Sequence, residues 1–322
     1  MSRFVLAALA ALSTIVAAPG IAAAQTETLK VAVSQRFFWD SSFVDFAERN
    51  GFFKDEGIAV EPFYTDGGAA TLTAVLSGSV DIGMSNGLPG VIGAYVKGAP
   101  LRVISAQMTG AGELYYYVKE DSPIKNLGDP AAKTSSFSSP GSSSHLILLA
   151  LQKQAGSQAK PVPTGSTSST LTQVMTGQID VGWAAAPFGL RQLEDKQIRV
   201  IARTSDVPQI ANQTIRVNIA SVNALKTKRA AIEKFLRAYV RAIDWAYKDP
   251  KAIEIFAENN KLTPEIAKKA VEEFYPKAGL QVSEIKGLEL TLQDALDYKY
   301  IPAAKTPQDI APLFDILYKP AQ

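Results

Sequence analysis

A serine-rich stretch ahead of an apolar run is the first feature of the sequence that could do chemistry. Ser142, Ser143, Ser144 and His145 directly precede the apolar residues 146–151, so this stretch is expected to open a helix. A helix start offers free backbone N–H groups and the positive end of the helix dipole, and serine hydroxyls add neutral donors. Such a start binds carboxylates, sulfonates and similar anions. An ordinary serine N-cap is the alternative interpretation of the same residues.

Another helix start and several loops supply further candidate ligand contacts. Gly67 and Gly68 precede a helical pattern, and their lack of side chains would let a ligand approach the backbone closely. Loops that follow predicted strands lie where open α/β sheets bind ligands. These loops carry the polar, charged and aromatic candidates Ser34, Gln35, Arg36, Trp39, Ser85, Asn86 and Trp183. Arg36 could pair with an anion beside aromatic side chains, or it could be a solvated arginine next to core aromatics.

The composition excludes several classes of site. The chain has no cysteine and one histidine, so disulfides, thiolate nucleophiles and multi-histidine metal sites are excluded. No glycine-rich nucleotide motif and no Gly-x-Ser-x-Gly elbow occur. The 33 basic and 31 acidic residues are too balanced to indicate a nucleic-acid partner. We therefore expect a protein without catalytic residues, metal or cofactor. A secreted hydrolase that uses Ser144 and His145 is the less favoured alternative.

Residues 1–24 have the pattern of an export signal. Arg3 gives a positive start, residues 4–18 are mostly apolar, and residues 22–24 are the small residues that a signal peptidase needs. The apolar stretch is short for a membrane span of about 20 residues, so cleavage is favoured over an uncleaved anchor. We expect cleavage near Ala24 and Gln25 and a periplasmic mature chain.

One segment of the chain is repeated. Residues 65–83 recur as residues 164–182, and eight of the 19 aligned residues are identical. Each copy combines apolar residues at helical spacing, a glycine that ends the helix, and a short β-branched strand, predicted at 80–82 and 179–181. Two such copies far apart in the chain indicate two similar lobes.

The remaining sequence alternates predicted strands and helices before it becomes mainly helical. Strands are predicted at 29–33, 58–64, 101–107, 114–118, 198–202 and 215–220, and helices around 43–47, 232–246, 253–258, 264–274, 288–296 and 307–317. Alternation of this kind is typical of parallel sheets flanked by helices. The predicted fold class is α/β, and 322 residues suffice for two lobes.

These features together resemble the periplasmic substrate-binding proteins of ABC importers, in the group that binds nitrate, taurine, alkanesulfonates and thiamine-pyrimidine precursors. The matching segments are 29–35, 51–61, 72–83, 141–145, 179–188 and 235–250. The resemblance implies the two-lobe periplasmic-binding-protein fold (type II), with residues 25–113 plus 214–322 in lobe 1 and residues 114–213 in lobe 2. Two hinge strands, near 114–118 and 215–218, would join the lobes.

The resemblance also implies how the protein works. The two lobes would close over a small molecule, and the closed form would deliver it to an ABC permease in the inner membrane; the chain is expected to be a monomer. Carried onto this sequence, the family's ligand contacts fall on Ser34, Gln35, Gly67, Gly68, Ser85, Asn86, Ser142, Ser143, Ser144, His145 and Trp183.

One departure from the family pattern bears on the ligand. Ala186 stands where the family often has an acidic residue before Pro-Phe, which implies a less negative pocket. Together with Arg36, Trp39 and the serine-rich helix start, this predicts a small organic anion, either a sulfonate or an aromatic or aliphatic carboxylate. A pyrimidine or another neutral heterocyclic precursor is the alternative.

Overall fold

The structure, a computed structural model, describes residues 26–320, so the expected export signal lies outside the described residues. Ten strands and eleven α-helices occur in this range. The strands are β1 (Glu27–Ser34), β2 (Ile58–Thr65), β3 (Ile82–Gly87), β4 (Leu101–Thr109), β5 (Leu114–Lys119), β6 (Thr134–Phe137), β7 (Lys160–Pro163), β8 (Gly182–Ala185), β9 (Ile198–Arg203) and β10 (Thr214–Ser221). The helices are α1 (Trp39–Arg49), α2 (Phe52–Asp55), α3 (Gly68–Leu76), α4 (Leu88–Val96), α5 (Ser143–Ala155), α6 (Thr167–Met175), α7 (Leu190–Glu194), α8 (Val222–Ala246), α9 (Lys251–Asn260), α10 (Pro264–Phe274) and α11 (Leu288–Asp297).

The strands form one large and two small sheets. The large sheet has the order β2-β1-β3-β10-β4, a three-stranded sheet has the order β8-β5-β9, and β6 pairs with β7. The strands β1, β2 and β3 are parallel, but β10 is antiparallel to both of its neighbours. The strand β5 is antiparallel to β8 and β9. The predicted α/β alternation is therefore present, but the large sheet is mixed, the β8-β5-β9 sheet is antiparallel, and β6 and β7 are parallel.

The chain passes between the large and small sheets twice, once from β4 to β5 and once from β9 to β10. The second passage contains two short 3₁₀ turns, Thr204–Asp206 and Pro208–Asn212. We call residues 26–109 with 214–320 the larger half and residues 114–203 the smaller half. Each half buries an apolar cluster of its own, as expected for layers of helices packed on sheets, and two further clusters contain residues of both halves.

The helix α8 shows how the sequence builds the core of the larger half. Ser221 caps it by accepting a hydrogen bond from the N–H of Ala224 at 3.0 Å. Its apolar residues at helical spacing are buried and face α1. Among them, Phe235 stacks on Phe53 with ring centroids 5.4 Å apart. Burying an aromatic side chain of this size stabilises the fold by about 1.5–3 kcal/mol.

The repeated segment folds in the same way in both copies. A hydrogen bond of 2.6 Å joins the hydroxyls of Thr65 and Thr71 in the first copy. The same bond joins Thr164 and Thr170 in the second copy. Asp81 accepts a hydrogen bond from the N–H of Lys30 at 2.8 Å, and Asp180 accepts one from the N–H of Thr134 at 2.9 Å. Each aspartate thus ties the repeat to a neighbouring strand, which is a structural role.

Three predicted elements differ from the observed ones. The strands of the two repeats begin at Ile82, the last residue of the first predicted strand, and at Gly182, one residue after the second. The preceding residues lie in the turn that ties each aspartate to a neighbouring strand. Residues 307–317 contain only the 3₁₀ turn Ala311–Leu313 instead of a helix. This segment instead runs along β4, where the N–H of Leu317 donates to the carbonyl of Ile104 at 2.9 Å.

In the part of the chain that the structure describes, we find no helix with the length and apolar character needed to span a bilayer.

Candidate functional site

A buried cavity lies between the two halves of the chain. The larger half lines it with Ser34, Gln35, Phe38, Asp40, Ser41, Gly68, Ser85 and Arg216, and the smaller half lines it with Leu114, Ser138, Ser142, Ser143, Ser144 and Trp183. The cavity volume is about 20 Å³, which is room for about one water molecule. An organic ligand does not fit in this volume.

Three helices begin at this cavity, so the positive ends of their dipoles meet there. The helix α1 contributes Asp40 and Ser41, α3 contributes Gly68, and α5 contributes Ser143 and Ser144. Each helix N-terminus carries about half a positive charge. Within residues 26–320, the N–H groups of Gly68, Ser143 and Ser144 find no acceptor. These groups can donate hydrogen bonds to an acceptor atom placed in the cavity.

The three serines at the start of α5 have different partners. Ser142 caps the helix, since its Oγ accepts from the N–H of His145 at 3.2 Å. Ser144 Oγ accepts from the N–H of Ser138 at 2.9 Å. Ser143 Oγ accepts from Arg216 Nε at 3.1 Å, which leaves its hydroxyl hydrogen free to donate elsewhere. Ser142 is therefore an ordinary helix cap, and its neighbour Ser143 has a hydroxyl hydrogen that is free to bind a ligand.

A buried arginine with two carboxylates lies beside the serines. Arg216, on β10, donates from Nη1 to Asp40 Oδ2 at 3.0 Å and from Nη2 to Glu113 Oε1. The side chains of Arg216, Asp40 and Glu113 are 6%, 1% and 0% exposed. Strand β10 shifts its register against β4 on both sides of Arg216, and such an irregularity redirects a strand side chain.

This cluster was not predicted from the sequence. Its one signal was a charged residue, Arg216, between apolar neighbours in a predicted strand. A charge in a buried strand needs a partner, but nothing in the sequence pointed to Asp40 or Glu113.

The charges at the cavity nearly balance. Burial raises the pKa of Glu113 above its ordinary value, although Arg216 opposes the shift. Burial lowers the pKa of Arg216, but the carboxylates of Glu113 and Asp40 outweigh burial and raise that pKa. With both carboxylates ionised, the three side chains carry a net charge of −1, and the three helix N-termini contribute about +1.5. The cavity is therefore weakly positive, and a proton on Glu113 makes it more so.

The cavity also offers an apolar wall and two polar atoms without partners. Phe38, Leu114 and Trp183 supply the apolar surface. Within the described residues, Trp183 Nε1 has no acceptor and Asp40 Oδ1 has no donor, and both atoms are buried. A buried polar atom without a partner costs about 1–3 kcal/mol. A ligand that supplies an acceptor and a donor would remove this cost.

Two residues that line the cavity have a strained backbone. Gln35 has φ of 57° and Ser85 has φ of 59°, a left-handed conformation that non-glycine residues rarely adopt. Ser85 Oγ accepts from Gln107 Nε2 at 2.6 Å, and Gln35 Nε2 donates to the carbonyl of Asp66. Strain of this kind concentrates at ligand-binding sites.

The structure brings eight of the thirteen predicted site residues to the cavity: Ser34, Gln35, Gly68, Ser85, Ser142, Ser143, Ser144 and Trp183. The other five, Arg36, Trp39, Gly67, Asn86 and His145, do not line it.

Arg36 and Trp39, which the sequence predicts as ligand contacts, do not line the cavity. The guanidinium of Arg36 packs over the rings of Phe37 and Tyr64, at 4.9 and 4.6 Å from their centroids. Trp39 is fully buried in the core, and its Nε1 donates to Tyr247 Oη at 2.9 Å. Successive helix residues point about 100° apart, so at the start of α1 Trp39 faces the core while Asp40 faces the cavity.

Gly67 and Asn86 have structural positions next to the cavity. Gly67 precedes α3, and a Cβ atom on it would lie 3.2 Å from Ser139 Oγ of the smaller half. Asn86 is 1% exposed, and its Nδ2 donates to the carbonyl of Gly83 at 2.9 Å. Gly67 therefore allows the halves to approach, and Asn86 braces the end of β3.

His145 joins the two halves rather than contacting the cavity. Its ring stacks on Phe137 with centroids 4.0 Å apart, and Nδ1 lies 2.6 Å from Tyr300 Oη of the larger half. Burial lowers the pKa of His145 to about 4, so the ring is neutral near pH 7. Within the described residues no hydrogen bond joins His145 to Ser144. The pair therefore lacks the nucleophile–base contact that a hydrolase needs.

We expect His145 to make the protein less stable in mild acid. Its folded pKa of about 4 lies below the ordinary value of 6.5, so the unfolded state takes up the proton first. The stability present above pH 6.5 is then lost as the pH falls, by about 2–3 kcal/mol. Urea unfolding between about pH 7 and pH 4 measures this loss. His145→Gln, which keeps an acceptor for Tyr300, should show a smaller loss, and an equal loss in both proteins would contradict the assignment.

Comparison with protein-family models identified one match. The family described as NMT1/THI5 like matches residues 40–253. No curated protein matched the sequence.

Several solved structures resemble this one. The alkanesulfonate-binding protein SsuA from Xanthomonas axonopodis pv. citri, bound to MOPS, is 17% identical, with coverage of 91% of this chain and 100% of that chain and a TM-score of 0.74. The CA3427 gene product of Candida albicans, described as having the generic periplasmic binding protein fold, is 16% identical, with coverage of 89% and 96% and a TM-score of 0.70. The periplasmic nitrate-binding protein NrtA from Synechocystis PCC 6803 is 13% identical, with coverage of 90% and 85% and a TM-score of 0.68. At these identities the likeness shows the fold, and the predicted periplasmic-binding-protein fold is confirmed.

Proposed function

The chain belongs to the NMT1/THI5-like family, and we propose that it is the substrate-binding protein of an ABC importer. The observation that carries this proposal is the meeting of three helix N-termini, from both halves of the chain, at one buried cavity. Such a site holds a ligand through neutral donors and dipoles without converting it. Proteins of similar structure bind alkanesulfonates or nitrate.

We propose that the ligand is a small organic anion, a sulfonate or an aromatic or aliphatic carboxylate. The free N–H groups of Gly68, Ser143 and Ser144 would donate to its oxygens, and Trp183 with Phe38 would cover its apolar part. The weakly positive balance of charges supports an anion over a cation.

Capture would require opening and closing of two lobes, for which we propose residues 25–113 with 214–322 and residues 114–213. The cavity of about 20 Å³ is too small for a sulfonate or carboxylate of organic size, so the lobes would open to admit it. Only the closed arrangement offers donors from both lobes to the same ligand, and the ligand therefore favours closure by its differential affinity.

We further propose a periplasmic location and delivery of the ligand by a monomer to an inner-membrane permease. The export signal expected at residues 1–24 supports the location.

A neutral heterocycle such as a pyrimidine is the second candidate ligand. The observation in its favour is the buried Oδ1 of Asp40, which has no partner within the described residues and can accept a hydrogen bond; Asp40 lines the cavity. A ring N–H or amino group would satisfy this atom, whereas a simple anion offers no donor.

A thermal-unfolding screen distinguishes these ligands. A ligand that binds the folded state raises Tm by an amount that grows with its concentration relative to Kd. The panel comprises butanesulfonate, benzenesulfonate, butyrate, benzoate, nitrate and cytosine, with glucose and spermidine as controls. A rise in Tm with sulfonates or carboxylates supports the anion, and a rise with cytosine alone supports the heterocycle. Stabilisation only by glucose or spermidine would contradict both.

We expect Ser143→Ala with Ser144→Ala to weaken binding of the best anion by about 1–3 kcal/mol, because the free hydroxyl donor of Ser143 is removed. Titration calorimetry measures this loss. The control is Ser166→Ala with Ser168→Ala, two serines at the start of α6, where Ser166 Oγ caps the helix by accepting from the N–H of Ser169 at 3.2 Å. The control should lower stability and leave affinity unchanged. Unchanged affinity in the Ser143 and Ser144 variant would place the ligand elsewhere.

A further inference from the structure

Arg216 touches both halves of the chain and both passages between them. It lies on β10, directly after the second passage, and binds Glu113, the last residue before β5, in the first passage. It also binds Asp40 in the larger half and Ser143 in the smaller half. One guanidinium group thus connects all the parts that must move relative to one another when the halves open.

The three contacts differ in what opening does to them. Asp40 belongs to the same half as Arg216, and Glu113 lies where the chain leaves that half, so both ion pairs can persist in an open form. The bond from Arg216 Nε to Ser143 Oγ, 3.1 Å long, joins the two halves and must break when they separate. The same serine has an N–H and a hydroxyl hydrogen available to a ligand.

We propose that Arg216 is a positioning residue that couples ligand capture to closure, by holding Ser143 in its ligand-binding orientation only when the halves are closed. The inference rests on the proposed binding function. In the closed form Arg216 fixes the Ser143 oxygen as an acceptor, which directs its hydroxyl hydrogen toward the cavity. A ligand that takes this hydrogen bond therefore binds the closed form better than the open one, and differential affinity of this kind shifts the equilibrium toward closure.

The geometry of the guanidinium is essential to this role. Its three nitrogens donate in one plane to Asp40, Glu113 and Ser143 at once, which a single ammonium on a flexible chain does not reproduce. Arg216→Lys keeps the positive charge between the two carboxylates and loses the Nε donor. The variant therefore separates the charge of Arg216 from its contact with Ser143.

The test measures the distance between the halves by electron paramagnetic resonance. The chain has no cysteine, so spin labels on the exposed positions Glu61→Cys in β2 and Gln178→Cys in the smaller half report only on the two halves. Distances are recorded without ligand, with benzenesulfonate and with cytosine, in the labelled parent, in Arg216→Lys and in Ser143→Ala. The matched control is Arg199→Lys, since Arg199 donates to the carbonyls of Ser122 and Ile124 within its own half, at 2.8 and 2.6 Å.

We expect Arg216→Lys and Ser143→Ala to reduce the closed population, with and without ligand, and to weaken binding about 10- to 100-fold, as for loss of a hydrogen bond to a charged group. Arg199→Lys should lower Tm and leave the distances unchanged. Parent-like closed populations in both Arg216→Lys and Ser143→Ala overturn the proposal, as does a fall in Tm with no change in distance. If neither probe closes the parent protein, the proposed function fails for these ligand classes, and the ligand-free distances still decide the role of Arg216.

Discussion

Arg216→Met is expected to lower the free energy of unfolding by about 3–5 kcal/mol, because it leaves two buried carboxylates without a counter-charge. Methionine fills a similar volume, so the loss arises from charge and hydrogen bonding rather than from a cavity. Asp40 and Glu113 are 1% and 0% exposed, and water cannot replace the guanidinium at either of them. Urea unfolding near pH 7, followed by circular dichroism, measures the change.

A triple variant shows whether the charge balance is the cause. Arg216→Met combined with Asp40→Asn and Glu113→Gln removes all three charges together, and it should recover the part of the lost stability that arises from unpaired charge, while each buried amide left without a partner still costs about 1–3 kcal/mol. If Arg216→Met alone is as stable as the parent protein, the prediction that the buried ion pairs stabilise the fold is wrong. Equal losses in the single and the triple variant would instead assign the stability to the hydrogen bonds of Arg216.

The cluster around Arg216 shows why part of the site could not be predicted. Arg216 lies 176 residues from Asp40 and 103 residues from Glu113 in the sequence. No local pattern joins residues so far apart, and the strand irregularity that turns Arg216 toward them is a product of tertiary pairing. The serine-rich start of α5 was predictable because a helix start is defined by a few adjacent residues.

Arg36 and Trp39 illustrate the same limit within a single loop. Their composition, a cation among aromatics, fits a ligand site and a core equally well. The outcome depends on where α1 begins, and a start at Trp39 turns this residue to the core and its neighbour Asp40 to the cavity. The residue types predicted a site in this loop. The phase of α1 then determines which of its residues face the cavity.

The repeat was the most reliable guide to the fold. Its two copies share their hydrogen bonds as well as their residues, as the aspartates at 81 and 180 show. The predicted helix at 307–317 failed because its segment extends along β4, and packing on a strand overrides helix propensity.

Gly90→Ala is expected to weaken ligand binding about 5- to 150-fold without destabilising the larger half. A Cβ atom on Gly90 would lie 2.6 Å from the carbonyl oxygen and 2.8 Å from the Cα of Gly141 in the smaller half. Both are backbone atoms that cannot rotate away, so the added methyl group would hold the halves apart. Overpacking of this kind costs the closed form about 1–3 kcal/mol. The apparent affinity falls by the same factor as the population of the closed form. The substitution lies in α4, where alanine favours the helix over glycine by about 0.5–1 kcal/mol.

The same substitution one turn later separates closure from stability. A Cβ atom on Gly93 would lie 2.7 Å from the carbonyl oxygen of Tyr300, which belongs to the same half as Gly93. Gly93→Ala should therefore lower the free energy of unfolding by about 1–3 kcal/mol and change affinity much less than Gly90→Ala. Titration with benzenesulfonate and urea unfolding of both variants give the comparison. Because the proposed function requires the halves to close on the ligand, parent-like affinity in Gly90→Ala would contradict closure along the contact between α4 and Gly141.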